Sequence, residues 1–308
     1  MQKATVWEYT ENWTPSKDTV MFGTHTFRSN FIVGGGPYNR EAYVYGGSDS
    51  KPQFINRIKN DNDCPGGNNI ANLIYNTKWL FKNGYSSDVP DTLAGIDCSG
   101  FVSACWDITR TNTTGLANMS IELNSRNELK PGDILDYPDS HAVLILTEPD
   151  NGKADIAEAV APYVQILRNI DLSIYGSSYK PYTAFPLLTD ISPSDGEIVN
   201  DNTPEIKFIV KSKSSINSSS IDIDIDGISV SASVTSIGTN EYEVSGTPSQ
   251  NLPDGQRQLS IHVTNSSGFE ETAMHELLSP SCGKLDDMPK ILSFDFSLLL
   301  YHFLHFYS

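Results

Sequence analysis

Positive charge is scarce in this chain. Its 308 residues hold 21 Lys and Arg against 38 Asp and Glu, a formal net charge of −17. Nucleic acid and anionic lipid both select basic surface, so neither is expected as a partner. Cysteine is scarcer still: Cys64, Cys98, Cys105 and Cys282 are the only four. They form no CxxC pair and have no metal-type spacing with histidine, so no zinc or other metal is expected. They are too few for a disulfide framework, and a single Cys64–Cys105 bridge stays open at this level. The first 30 residues lack a basic start followed by an apolar core and carry Trp7, Glu8, Glu11, Trp13 and Asp18 instead. No signal peptide is visible, which leaves a cytoplasmic protein or one whose leader lies outside this sequence. Long apolar runs are missing except at the end, "ILSFDFSLLLYHFLHFYS", 18 residues that include Asp295 and two histidines. That segment is marginal as a membrane span and suits a non-native or truncated tail equally well.

What is present suffices for a core. Hydrophobic residues make up 38%, with 14 Tyr and 13 Phe, and the length suits two domains. Residues 1–36 read as an N-terminal extension. Residues 37–187 mix helical and strand signals. "SKPQFINRIKN" offers Ser50 as an N-cap with Pro52 in the first turn. "NNIANLIYNTKWLFKNG" places Ile70, Leu73, Ile74, Leu80 and Phe81 at helical spacing before Gly84. "HAVLILT", "ADIAEAV" and "YVQILR" are short and β-rich, and "PDNGK" separates the first two as a turn. Helices followed by an antiparallel sheet predict an α+β domain.

Residues 188–280 differ. "EIKFIVK" alternates Ile206, Phe208 and Val210 inward, and "SIDIDIDG" alternates Ile221, Ile223 and Ile225 against Asp222, Asp224 and Asp226. "EYEVSG" and "RQLSIHVT" come next, with "LPDGQ" and "NSSG" as turns, which together predict an all-β sandwich. "DIDIDG" also matches the first half of a calcium loop, but Ser233 stands where the loop needs its twelfth-position carboxylate. The strand reading is preferred. Residues 281–308 form the tail.

The chemistry concentrates in "GIDCSGFVSACW", residues 95–106. A thiol at a helix start gains nucleophilicity, because unpaired N–H groups and the helix dipole favour its thiolate. The same N–H groups can hold a developing oxyanion. Alone, a cysteine before an apolar run is more often a small buried hydrophobe, and Cys105 is read that way. A thiolate enzyme also needs a base, and His141 opens the strand "HAVLILT" where its ring can face the helix start. His25, His262, His275, His302 and His305 sit in less suitable segments. The base needs an orienting acceptor, for which Glu158 and Asp155 both stand in the next strand. Glu158 is preferred, because a carboxylate among Ala157, Ala159 and Val160 needs a partner.

"AYVYGGSDS", "DCSGFV", "LKPGDIL" and "SHAVLIL", in that order, resemble the NlpC/P60 peptidases, papain-like cysteine enzymes of the bacterial cell wall. The resemblance covers residues 37–187 and implies an α+β papain-like (NlpC/P60-type) domain. It implies Cys98 as nucleophile, His141 as base, Glu158 as third member and Tyr43 as a tyrosine that assists the nucleophile or the reacting carbonyl. Asp97 falls at a position that in some members holds the substrate's amino terminus, and Ser99 is grouped with it as substrate-binding. Asp97 is also placed to cap the helix. The family often has histidine where Glu158 stands, and residues 48–96 intervene as an insertion between the Gly-Gly element and the cysteine. "ISPSDGEIVNDNTPEIKFIV" and "LPDGQRQLSIHVTNSSGFEETA" resemble bacterial Ig-like modules of surface-associated proteins.

Together these resemblances imply a secreted or cell-surface bacterial hydrolase. It would cut an amide bond in peptidoglycan stem or cross-link peptides through a thioester, without cofactor, and its Ig-like half would act as a spacer or bind cell wall or carbohydrate. Two alternatives are an amidase or acyltransferase acting on another substrate, and a catalytically inactive surface-binding or adhesion protein.

Overall fold

The computed structural model describes residues 10–22, 25–67 and 92–278. Strand β1 (Thr19–Phe22) pairs with β2 (His25–Arg28), and β3 (Cys64–Pro65) lies parallel to β4 (Leu93–Ala94). Three α-helices occur among the described residues: α1 (Lys51–Lys59), α2 (Cys98–Trp106) and α3 (Thr113–Asn118). Ser50 caps α1 in a capping box with Gln53, and Pro52 lies in its first turn, as the sequence predicts. The helix expected around Ile70–Gly84 and the C-terminal tail lie outside the described residues.

A six-stranded sheet comes next in the order β5 (Ile121–Glu122), β10 (Lys180–Thr183), β6 (Ile134–Tyr137), β7 (His141–Ile145), β8 (Lys153–Val160) and β9 (Tyr163–Asp171). Its pairings are antiparallel, and β8 turns into β9 through the two residues Ala161 and Pro162. The period-2 alternation of these strands divides their side chains between two cores. Ile134, Ala142, Leu144, Ala157 and Ala159 pack under Phe101 and Val102 of α2. Leu135, Val143, Ile145 and Ile156 face the opposite side with Leu172.

The remaining strands are β11 (Leu187–Ser192), β12 (Glu197–Ile198), β13 (Ile206–Lys211), β14 (Ile221–Ile225), β15 (Ile228–Val230), β16 (Ser233–Gly238), β17 (Glu241–Gly246), β18 (Gln256–Thr264) and β19 (Glu270–Leu278). They form one sheet ordered β11-β13-β17-β16 and another ordered β12-β19-β18-β14-β15. Ile206, Phe208 and Val210 from the first meet Ile223, Ile225, Leu259 and Ile261 from the second in one buried core. "DIDIDG" lies in β14 and the turn after it, with Ile223 and Ile225 buried, so its alternation is that of a strand.

The α+β papain-like (NlpC/P60-type) architecture expected for residues 37–187 is corrected by this arrangement: the described chain is mostly strand, in several sheets. The physical reason lies in the lengths and the punctuation. The three helices run only nine, nine and six residues. From Ile121 onward the apolar residues alternate between turn residues, so the chain satisfies its backbone by hairpin pairing. No helix among the described residues is long and apolar enough to cross a membrane.

The two halves touch through specific groups. The Trp106 ring meets Phe269 edge-on at 5.4 Å, and Phe185 meets the Phe269 ring at 5.3 Å. Asn265 donates to the Ala184 carbonyl at 3.1 Å, and Lys130 pairs with Glu271.

The loop "YVYGG" is laid against the approach to α2. Tyr43 bridges Ile96, Ser48 bridges Ile96 from the other direction, and the Asp97 N–H donates to the Gly47 carbonyl at 3.1 Å. The ends of the 48–96 segment are therefore adjacent in space. Gly95 has φ +149, and a Cβ there would overlap the Ala42 carbonyl oxygen. Gly95→Ala is accordingly expected to cost about 1–3 kcal/mol, read as a lowered urea midpoint with an unchanged slope.

Candidate functional site

Cys98 is the first residue of α2 and is 6% exposed. Asp97 caps the helix: Oδ1 accepts from the Gly100 N–H at 2.6 Å and from the Ser99 hydroxyl at 3.0 Å. Its Oδ2 accepts from the Gly46 N–H at 2.9 Å and from the Arg110 guanidinium at 2.7 Å. Ser99 is buried, with its hydroxyl directed to Asp97. The Cys98 N–H stands at a position with no intrahelical acceptor, next to the sulfur. At the other end the Trp106 indole N–H donates to the Gly132 carbonyl at 2.8 Å and fixes the helix on the sheet.

His141 is the first residue of β7. Its Nε2 lies 2.8 Å from Glu158 Oε2. The Cys98 side chain acts on the same ring, and like Glu158 it favours the charged imidazolium. Burial disfavours the charged ring, but the hydrogen bonds and charges of Cys98 and Glu158 outweigh it and raise the His141 pKa to about 10. Burial also works against a charged Glu158, yet its bonds to His141, Gln165 and Tyr175 hold its carboxyl below the usual range. The structure therefore brings together Cys98, His141 and Glu158. Asp155 is elsewhere, on Arg168 at 2.7 Å and the Asn169 N–H at 2.8 Å. Tyr43 packs against the core beneath α2, which includes Ile96, Phe101 and Val102.

Four contributors escaped the sequence reading. Gln165 donates to Glu158 Oε1 at 2.9 Å from the residue directly opposite on β9. Counting across the tight Ala161–Pro162 turn would have found it. Arg110 secures Asp97 with no sequence signal of its own. Tyr175, in the 3-10 turn Leu172–Tyr175, lies with its hydroxyl 3.5 Å from Glu158 Oε2. Tyr179 sets its ring against His141, with centroids 6.3 Å apart. No local pattern announces either tyrosine, because their position depends on how the chain returns from β9 to β10.

Asp136 lies one strand over, fully buried, and neither carboxylate oxygen has a hydrogen-bond partner. Burial raises its pKa to about 7 against the attraction of His141. The Cys64–Cys105 bridge left open by the sequence does not form. Burial pushes Cys64 up to about 12, which keeps it an inert thiol. Among the described residues, no group of three or more His, Cys, Asp or Glu is arranged to hold a metal ion.

No family model and no curated protein matches the chain. Several solved structures share partial likeness, two of them as follows. CopC from Methylosinus trichosporium OB3b is 19% identical over 32% of this chain and 98% of its own, with a TM-score of 0.26. The sulfane dehydrogenase SoxCD from Paracoccus pantotrophus is 12% identical over 44% of each chain, also with a TM-score of 0.26. Likeness of that degree says nothing about what this chain does.

The electrostatics set two expected outcomes. The raised His141 pKa contributes stability that is complete below its unfolded value of about 6.5. That contribution is lost as pH rises through about 10. In Glu158→Gln the loss moves down toward neutral pH, seen as an earlier alkaline fall in the urea midpoint and a lower His141 titration by NMR. Asp136 has the opposite sign. An acid whose folded pKa is raised binds its proton more tightly when folded, so its contribution falls as pH rises from its unfolded value through about 7. Asp136→Asn is expected to flatten the stability–pH curve over that interval.

Proposed function

We propose that this protein is a cysteine hydrolase of amide bonds. The observation that carries the reading is the convergence of Cys98 and Glu158 on the His141 ring, with Glu158 hydrogen-bonded to it and the sulfur at the first residue of a capped helix. A cationic imidazolium beside a sulfur favours thiolate, the nucleophilic form.

The thiolate of Cys98 attacks the carbonyl carbon. The oxygen becomes an oxyanion beside the Cys98 N–H and the helix start, with Tyr43 alongside the same helix. The imidazolium of His141 gives its proton to the departing amine as the C–N bond breaks, which leaves a thioester on Cys98. Neutral His141 then takes a proton from water as the hydroxide equivalent adds, and collapse releases the carboxylic acid and the thiolate. Glu158 holds the ring in one orientation throughout, with Gln165 fixing Glu158. Neither metal nor organic cofactor enters any step.

The substrate class rests on the motif resemblance alone. "YVYGG", "DCSGFV", "LKPGDIL" and "SHAVLIL" favour the NlpC/P60 enzymes, and with them a peptide of the peptidoglycan stem or cross-link and a secreted or cell-surface location. Residues 188–280 then serve as a spacer or bind wall or carbohydrate. Asp97 has its carboxylate oxygens committed to the helix cap, Gly46 and Arg110. That commitment favours the capping role over direct contact with substrate.

Digestion of purified cell walls tests the reading. Wild type is expected to release peptides with new amino groups, identified by mass. Cys98→Ala should lose at least about 10³-fold of that rate. Equal release by wild type and variant would rule out Cys98 as the nucleophile.

A further inference from the structure

We propose that Tyr179, backed by Tyr175, is a positioning residue: its ring closes the outer side of the His141–Glu158 pair and keeps water from it. The proposal rests on the hydrolase reading for its functional meaning, but its geometry stands apart from any substrate.

Three aromatic rings line that side of the pair. Tyr179 meets His141 edge-on, with an interplanar angle of 76°. Tyr175 lies 5.1 Å from Tyr179 and is within reach of Glu158 through its hydroxyl. Tyr137, directly across from His141 on β6, lies 5.7 Å from Tyr179 and is 42% exposed. Tyr179 thus contacts both the His141 ring and the exposed Tyr137. Its hydroxyl is raised to about 12 by burial and then by the charges of Glu158, Cys98 and Asp136, so it stays neutral.

A closing ring matters here because the His141–Glu158 pair draws its strength from a low dielectric. Water at the ring edge would compete for the carboxylate and weaken its hold on the imidazolium. Cys98 from α2, Glu158 from β8 and Asp136 from β6 interact with His141 directly, and Tyr179 packs on its ring; around them stand Asp139, which acts on Asp136, Tyr137, which acts on Tyr179, and Tyr175, which reaches Glu158. Among the described residues Glu158 hydrogen-bonds the ring, and Cys98 and Glu158 are the two groups that favour its charged form.

The test is the His141 titration by NMR in the full chain, with iodoacetamide alkylation of Cys98 as a function of pH beside it. Tyr179→Ala is expected to lower the His141 midpoint by at least about one pH unit and to slow alkylation at neutral pH at least about fivefold. Tyr179→Phe should keep both wild-type values, because the contact is made by the ring and not by the hydroxyl. Tyr179→Leu keeps apolar bulk near the backbone but is too short to reach where the ring does, so it leaves the outer side of the pair open to water; it decides the matter if the alanine variant does not fold, and is expected to shift both values in the same direction as alanine. An unchanged His141 midpoint in Tyr179→Ala or Tyr179→Leu overturns the proposal. The hydrolase reading fails separately: wild-type Cys98 that alkylates no faster than a model thiol removes the nucleophile, while the His141 midpoints still judge Tyr179.

Discussion

The Asp97 carboxylate is the junction on which the site depends. It gathers donors from three segments: the helix backbone at Gly100 with the Ser99 hydroxyl, the Gly46 N–H of the "YVYGG" loop, and Arg110 beyond α2. A charged acceptor at a helix N-terminus satisfies orphan N–H groups and complements the dipole at once. Here the same group also sets where the helix begins, and so which residue presents its side chain at the first turn. Arg110 keeps the buried carboxylate paired, which an isolated buried charge would require in any case. With Asp97 engaged in this way, Cys98 emerges at the helix start with its own N–H alongside the sulfur.

The other half of the site comes from hairpin geometry. His141 and Glu158 lie on neighbouring antiparallel strands, and Gln165 lies opposite Glu158 on the next. Each of these polar groups is set at the margin of a sheet whose two faces are otherwise apolar. Burial penalises every charge there, so the groups remain ionised only through one another. That mutual dependence raises His141 and lowers Glu158 against the desolvation of both. Asp136, one strand away and without a hydrogen-bond partner, is moved the other way. Two carboxyl groups of one sheet thus take opposite protonation behaviour from the presence or absence of partners.

The strand-dominated architecture also places the second half of the chain in contact with the first. Phe269, at the turn between β18 and β19, sits against Trp106 at the far end of the helix that begins with Cys98. Trp106 is at the same time hydrogen-bonded to Gly132, just before β6. The nucleophile helix is therefore held at its start by Asp97 and at its end by an aromatic contact from the β-rich second half. A helix of nine residues has little intrinsic stability, so its place depends on these two attachments and on Phe101 and Val102 in the core.

The sequence by itself determined the features that rest on local periodicity and chemistry. The capped start of α2, the strands opened by His141 and carrying Glu158, and the inward Ile206, Phe208 and Val210 were all legible, because each depends on neighbours a few residues away. The preference for Glu158 over Asp155 was legible too, since a carboxylate among alanines needs a partner. The balance of helix and sheet was not: short amphipathic runs do not reveal how many strands will pair or in which order. Nor did any local pattern expose Arg110, Tyr175 and Tyr179. They reach the site from the short connections after α2 and between β9 and β10, and only the assembled sheet decides which side chains meet there. The pairing of His141 with both Cys98 and Glu158 is likewise a tertiary fact, since a buried ion pair exists only when the fold excludes water from all of its members together.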